Sequence, residues 1–231
     1  MKKFVGAMLC LVLVTLLVSG FAAGKLSVVQ ETFYVLPYID YHAGYVYAEV
    51  KNIGDKPVEF NGGLIELYDA EGNSIESSTY LRMYPKTLDA NEIGYLYVSQ
   101  SVKEATDQSF IDDYLLTVTG KGAKENNVLR LPVAEAKTQL DKRSYWSYYY
   151  VLTNLTNNTD QVLYDFEVVY ALKNAEGKLL YVTQGEPSYV GLLPGSSIQM
   201  RLRVDSDIVE KLGETEFENA VVEAIAFVEV D

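Results

Sequence analysis

A chain of 231 residues can hold one large or two modest domains, and 48% apolar content is enough to build a core. A formal charge of −13 disfavours phosphate backbones and anionic membrane surfaces, so nucleic acid is not an expected partner. One cysteine and one histidine leave no basis for a disulfide framework or a zinc site, and no cofactor is expected.

Met1-Lys2-Lys3 is a basic start, residues 4–18 form an apolar run, and Ser19–Gly24 supplies small residues. That order reads as a secretory signal peptide over 1–24, cleaved near Ala22 or Gly24, which would make the mature chain secreted or extracytoplasmic. The single cysteine, Cys10, lies inside the apolar run behind Leu9 rather than behind a small residue, so lipidation there is not expected. With the leader gone, no later apolar run is long enough to span a bilayer.

The next elements alternate like strands. Residues 26–36 read as a first strand, and 37–44 as a Tyr-rich corner. On residues 45–52, Val46, Ala48 and Val50 take one face and Tyr45, Tyr47, Glu49 and Lys51 the other. A polar turn at 52–57 leads to a further strand, closed by Ala70-Glu71-Gly72. Residues 75–84 and 93–100 follow as strands. Ser101 and Glu104 have the spacing of a helix start, and 110–119 returns to strand. The polar stretch 120–127 is the linker candidate.

The order then repeats. Residues 128–137 open a second unit. Residues 144–154 form an aromatic strand, for which the pattern assigns Tyr148, Tyr150 and Leu152 inward and Tyr149, Val151 and Thr153 outward. Ala175-Glu176-Gly177 repeats the closing turn, and 163–172, 178–183, 197–204 and 220–230 read as strands, with a short helix at 205–212 stopped by Gly213. Duplication with about seven short strands per unit indicates an all-β chain of two tandem immunoglobulin-like Greek-key β-sandwiches, over 25–122 and 123–231.

Ile65-Glu66-Leu67-Tyr68-Asp69-Ala70-Glu71-Gly72, with Val50-Lys51-Asn52 upstream and the turn at 88–92 downstream, resembles the FxLYD-type domain of secreted bacterial proteins. Ile65 stands where the namesake Phe would be, and the second copy reads Tyr170-Ala171-Leu172-Lys173-Asn174. The resemblance implies an immunoglobulin-like sandwich and brings no catalytic residues.

Chemistry-bearing patterns are sparse. His42 has no visible triad partners and no nucleophile elbow accompanies it. Carboxylates at Asp112-Asp113, Asp205, Asp207 and 214–216 offer acids without selecting a pair. Asp69, Glu71 and Asn73 alternate oxygen ligands like a calcium loop, but the second copy brings Lys178 to the last position, which favours a hairpin turn. The sequons at Asn154 and Asn157 read as turn chemistry. The candidate recognition surface is aromatic: Tyr38, Tyr41, Tyr45 and Tyr47 in one unit, and Tyr145, Trp146 and Tyr149 in the other, with Trp146 also a candidate core residue. The expectation is a non-enzymatic binding or envelope-associated module for a protein or glycan. The alternatives are a carboxylate hydrolase, recognisable by a cleft where acids converge, and an accessory subunit of a surface assembly.

Overall fold

The computed structural model describes residues 24–103, 110–142, 147–187 and 191–230. Residues 1–23, which hold all but the last residue of the expected leader, and Tyr145 and Trp146 lie outside these residues.

The chain is all-β. The first unit contributes β1 (Leu26–Pro37), β2 (His42–Asn52), β3 (Val58–Tyr68), β4 (Ser74–Ser78), β5 (Arg82–Tyr84), β6 (Thr87–Leu88), β7 (Ile93–Val102) and β8 (Asp113–Gly122). The second contributes β9 (Val128–Leu131), β10 (Val133–Lys142), β11 (Ser147–Thr156), β12 (Glu167–Lys173), β13 (Leu179–Gly185), β14 (Ser197–Val204), α1 (Ser206–Leu212), α2 (Glu214–Glu218) and β15 (Val221–Glu229). All strand pairs are antiparallel. The sheets run β1-β2-β7-β5 and β4-β3-β8 in the first unit, and β10-β11-β14 and β13-β12-β15-β9 in the second. Paired neighbours β1–β2, β3–β4, β10–β11 and β12–β13 share a sheet, and the chain crosses to the other sheet of its unit between β2 and β3, β4 and β5, β7 and β8, β11 and β12, and β13 and β14, as in a Greek key.

Register makes the duplication concrete. Asn52 is wholly buried: its Nδ2 donates to Lys56 O (2.8 Å), Leu88 O (3.1 Å) and Asp89 O (3.0 Å), and its Oδ1 accepts from Gly54 N (2.9 Å). Asn157, also wholly buried, donates to Gln161 O (2.7 Å) and Leu192 O (2.8 Å) and accepts from Thr159 N (2.9 Å). Each asparagine ties the turn after its strand to the turn before β7 or β14. At the closing turns, Asp69 Oδ1 accepts from Glu71 N and Asn73 N, and Asn174 Oδ1 from Glu176 N and Lys178 N. Gly72 and Gly177 both take φ +81°, where a side chain would strain the backbone. These pairs make β2 equivalent to β11, β3 to β12, β7 to β14 and β8 to β15.

Several elements differ from expectation. The linker is shorter: Gly120, Lys121 and Gly122 belong to β8, paired with Phe60, Glu59 and Val58. Residues 75–84 divide into β4 and β5, which join different sheets. Residues 128–137 divide at Pro132, so β9 pairs β15 and β10 pairs β11. Ser101 and Val102 end β7 opposite Ala43 and His42; the rest of the expected helix lies outside the described residues. The short helix at 206–212 is present, with Asp205 as N-cap accepting from Asp207 N and Gly213 at φ +91°, and α2 follows it.

The first core gathers Val46, Ala48, Val50, Ile65, Leu67 and Leu96 between its two sheets. The second gathers Val151, Leu155, Phe166, Tyr170, Leu172 and Phe227, but it also takes in Leu36, Tyr47, Tyr84 and Tyr95 from the first unit. The outer face of β1-β2-β7-β5 therefore packs on the outer face of β13-β12-β15-β9. The molecule is a stack of four sheets whose middle contact joins the two units.

Candidate functional site

The inter-unit contact begins with β2. Its alternation sends Val46, Ala48 and Val50 into the first core, yet Tyr47 is 2% and Glu49 5% exposed on the other face. Both faces are covered, one by the unit itself and one by its neighbour. Tyr47 meets Tyr181 edge-on, ring centroids 5.0 Å apart. The Thr32 hydroxyl donates to Leu179 O, and Leu179 N donates to Gln30 Oε1 (2.9 Å), so the edge of β13 is tied to β1.

A buried ion cluster lies beside these rings. Lys173 Nζ is 2.6 Å from Glu49 Oε2, a Coulombic contact out of hydrogen-bond alignment, and 2.9 Å from Glu223 Oε2, to which it donates. The Tyr95 hydroxyl also donates to Glu223. Burial pushes the Lys173 ammonium pKa down, but Glu49 and Glu223 outweigh it, and the net shift is up from 10.5. Burial pushes Glu223 up, and Tyr95 and Lys173 bring it below 4.5. Arg130–Glu92 (2.9 Å) and Lys86 N to Glu229 Oε1 (3.0 Å) extend the contact.

At the flank of this contact the units leave a cleft of about 650 Å³. Phe60, Leu81, Met83 and Tyr84 give it apolar surface from the first unit. Arg82 joins them, and the second unit adds Glu167, Gln184, Glu186 and Glu229. Gln184 Nε2 donates to Glu167 Oε2 (2.7 Å), which fixes both side chains. Burial, and then Glu229, raise the Glu167 carboxyl above 4.5, against the pull of Gln184. Burial pushes the Tyr84 hydroxyl up to about 12, against the pull of Arg82. At the rim, Glu59 is held below 4.5 by Lys86 (2.6 Å) and Lys121 (2.9 Å). The exposed lining is mostly polar, with the largely buried Phe60, Leu81, Met83 and Tyr84 contributing only edges, and its fixed polar groups converge as in a small-ligand site.

The aromatic candidates separate. Tyr47 is inside the inter-unit contact. Tyr45 and Tyr38 pack against the same core, and their hydroxyls are hydrogen-bonded to each other. Tyr41 stacks on Tyr38 with centroids 4.7 Å apart. Tyr149 faces inward, edge-on to the buried Phe217 at 5.4 Å. The expected parity of β11 is thus reversed: Tyr149, Val151, Thr153 and Leu155 point to the core, and Tyr148, Tyr150 and Leu152 to the other face. The cause is that Asn157 rather than Asn154 is the equivalent of Asn52, each reaching the carbonyl four residues on, so the strand is displaced by three residues and its alternation inverts.

The remaining sequence candidates have structural surroundings. Asp69 accepts hydrogen bonds from Glu71 N, Asn73 N and Asn73 Nδ2, so donors rather than a cation surround it. That is hairpin-turn geometry. His42 opens β2 opposite Pro37 and Val102. Among the described residues, no group of three or more His, Cys, Asp or Glu could hold a metal ion, and no helix is long and apolar enough to cross a membrane. Glu167, Gln184, Glu186 and Arg82 went unnoticed in the sequence, because their convergence depends on docking of the two units and has no local signature.

No known sequence family matches the chain, and no curated protein matches it. Among solved structures it is similar to red sea bream transglutaminase, at 13% identity and a TM-score of 0.21, over 89% of this chain and 32% of that one. The chain thus spans about a third of that protein's length, and a likeness of this size transfers no function.

Proposed function

We propose that this chain is a secreted, non-enzymatic tandem β-sandwich module, associated with the cell envelope, that captures an extracellular ligand in the cleft between its units. The FxLYD-type resemblance and the leader-like start support the setting. The observation that carries the reading is the cleft itself, where Arg82, Gln184 and Glu167 share a lining with the largely buried Phe60, Leu81 and Tyr84. Planar amide, carboxylate and guanidinium groups above an aromatic edge match the alternating hydroxyl and C–H faces of a glycan better than an extended apolar peptide.

One observation favours a second reading, a carboxylate hydrolase. Glu167, raised by burial, shares the cleft with Glu186 and Glu229, as an acid–base pair would require.

A glycan array on the mature chain, followed by calorimetry and reducing-end assay on each hit, separates the two. Capture is expected to be lost in Gln184→Ala and Tyr84→Ala, with no reducing ends released by the parent protein. Release of reducing ends that Glu167→Gln abolishes while binding persists would replace the capture reading with the hydrolase. Binding that survives all three substitutions would place the ligand outside the cleft.

A further inference from the structure

The duplication leaves two surfaces unmatched, and they are the same two surfaces that meet inside the chain. Within the molecule, the outer face of β1-β2-β7 docks on the outer face of β12-β13-β15. The second unit's equivalent of the first surface is the outer face of β10-β11-β14. The first unit's equivalent of the second is the outer face of β3-β8-β4. Both lie on the ends of the four-sheet stack, with no described element packed on them.

Their chemistry is complementary. On the β11–β14 face, Tyr150 lies opposite Arg203 and Leu152 opposite Arg201. The Arg201 guanidinium sits 3.6 Å from the centroid of the Tyr150 ring, and that of Arg203 sits 4.7 Å from that of Tyr148. This ladder of flat cations on aromatic rings belongs to a chain of net charge −13. On the β3–β8 face, Glu66 lies opposite Leu115 and Tyr68 opposite Asp113. The Tyr68 hydroxyl donates to Glu66 Oε2 (2.7 Å), and Leu115 is 44% exposed. That end is acidic around an apolar patch.

The register equivalences place these groups where the inner contact has its own. Arg201 takes the position of Tyr97, Asn154 that of Glu49, Tyr68 that of Lys173 and Leu115 that of Glu223. In the inner contact the anion Glu49 comes from the β2 side and the cation Lys173 from the β12 side. At the ends the cations Arg201 and Arg203 stand on the β14 side, with Lys137, Asp141 and Glu135 of β10 beside them, and the anions Glu66 and Asp113 on the β3–β8 side, so the arginine ladder meets acids.

We infer that the β10-β11-β14 face of one molecule docks on the β3-β8-β4 face of a second copy, repeating the inner contact between chains. The two faces belong to opposite ends, so the contact is head-to-tail. Such a contact does not close on a dimer but propagates into a linear array of alternating units. This inference does not depend on the cleft or its ligand.

Sedimentation over a concentration series tests it, with Arg201→Glu/Arg203→Glu at one end and Glu66→Lys/Asp113→Lys at the other. The parent chain is expected to gain mass with concentration without stopping at a dimer. Each variant alone is expected to stay monomeric. An equimolar mixture is expected to regain association, since each variant keeps one intact end and the two reversed ends carry opposite charges. Unchanged melting temperatures, or the milder Arg201→Gln/Arg203→Gln where the reversal fails to fold, keep the comparison valid. A parent chain that is monomeric throughout the series, a mixture that does not associate, or a Glu66→Lys/Asp113→Lys variant that associates like the parent would overturn it.

Discussion

The outer face of β1-β2-β7 and its repeat, the outer face of β10-β11-β14, are built from the same strands in the same order and have opposite fates. On the first, Tyr47 and Glu49 are almost wholly buried and Tyr95 is 1% exposed. On the second, Arg201 and Arg203 are exposed and cover Tyr150 and Tyr148. Both are strand faces rich in tyrosine. The difference lies in what stands between the rings. Tyr95 and Tyr97 on β7 can be desolvated cheaply, whereas Arg201 and Arg203 on β14 keep their face in water until an anion meets them. A tyrosine-rich strand therefore says little about recognition until the charge of its neighbouring strand is known.

The largest test removes the charge that holds the buried face together. Lys173→Met leaves Glu49 buried with no counter-ion and is expected to cost about 3–5 kcal/mol in denaturant unfolding. Replacing both members, Glu49→Leu with Lys173→Met, is expected to recover most of that loss. Recovery confined to the single mutant's baseline would mean that the pair contributes more than mutual neutralisation.

The cluster also sets a pH window. Glu223 has a lowered pKa in the folded chain, so its contribution is present above 4.5 and is lost as pH falls through the lowered value. Lys173 has a raised one, so its contribution is complete below 10.5 and is lost as pH rises through the raised value. Glu167 in the cleft has the opposite sign from Glu223: its ionisation disfavours the folded state, and acidification through its raised pKa relieves that. Glu167→Gln is expected to raise stability at neutral pH and to leave the acid limb controlled by Glu223.

A smaller effect compares rings directly. Tyr47→Ala empties a packed site against Tyr181 and is expected to cost about 3 kcal/mol, while Tyr150→Ala, which removes an exposed cation–π contact, is expected to cost less than about 1 kcal/mol. Equal losses would mean that the two faces are equally buried in solution. The smallest difference is expected where the repeats agree. Asn52→Ala and Asn157→Ala each strand several buried backbone groups, and each is expected to cost about 2 kcal/mol. A large disparity between them would mean that only one unit depends on its asparagine tie.

Much of the fold was legible because it is local. Period-two alternation marks β1, β2, β7, β14 and β15, and Asp69 and Asn174 with Gly72 and Gly177 mark two equivalent hairpin turns. The parity of β11 was not legible: two asparagines, Asn154 and Asn157, could each open the polar turn, and only burial of Asn157 against Leu192 chooses between them. The division at Pro132 was visible as a residue, but not as a change of sheet. The cleft was legible only in its residue types. Arg82 and Glu167 are 85 positions apart and meet through the docking of two separately patterned units.

By itself the sequence determined that this is a β protein, that it is built from one unit used twice, and where most strands and both closing turns lie. Alternation, turn chemistry and repetition act over a few residues, so they are written in order along the chain. Only the tertiary structure decided which faces are buried twice, which way β11 points, and that Tyr47 belongs to an internal contact while Tyr150 stays at a free end. Those outcomes depend on desolvation of whole faces against one another. Glu49 meets Lys173 across 124 positions, and no local pattern anticipates that a buried acid will find its cation so far away.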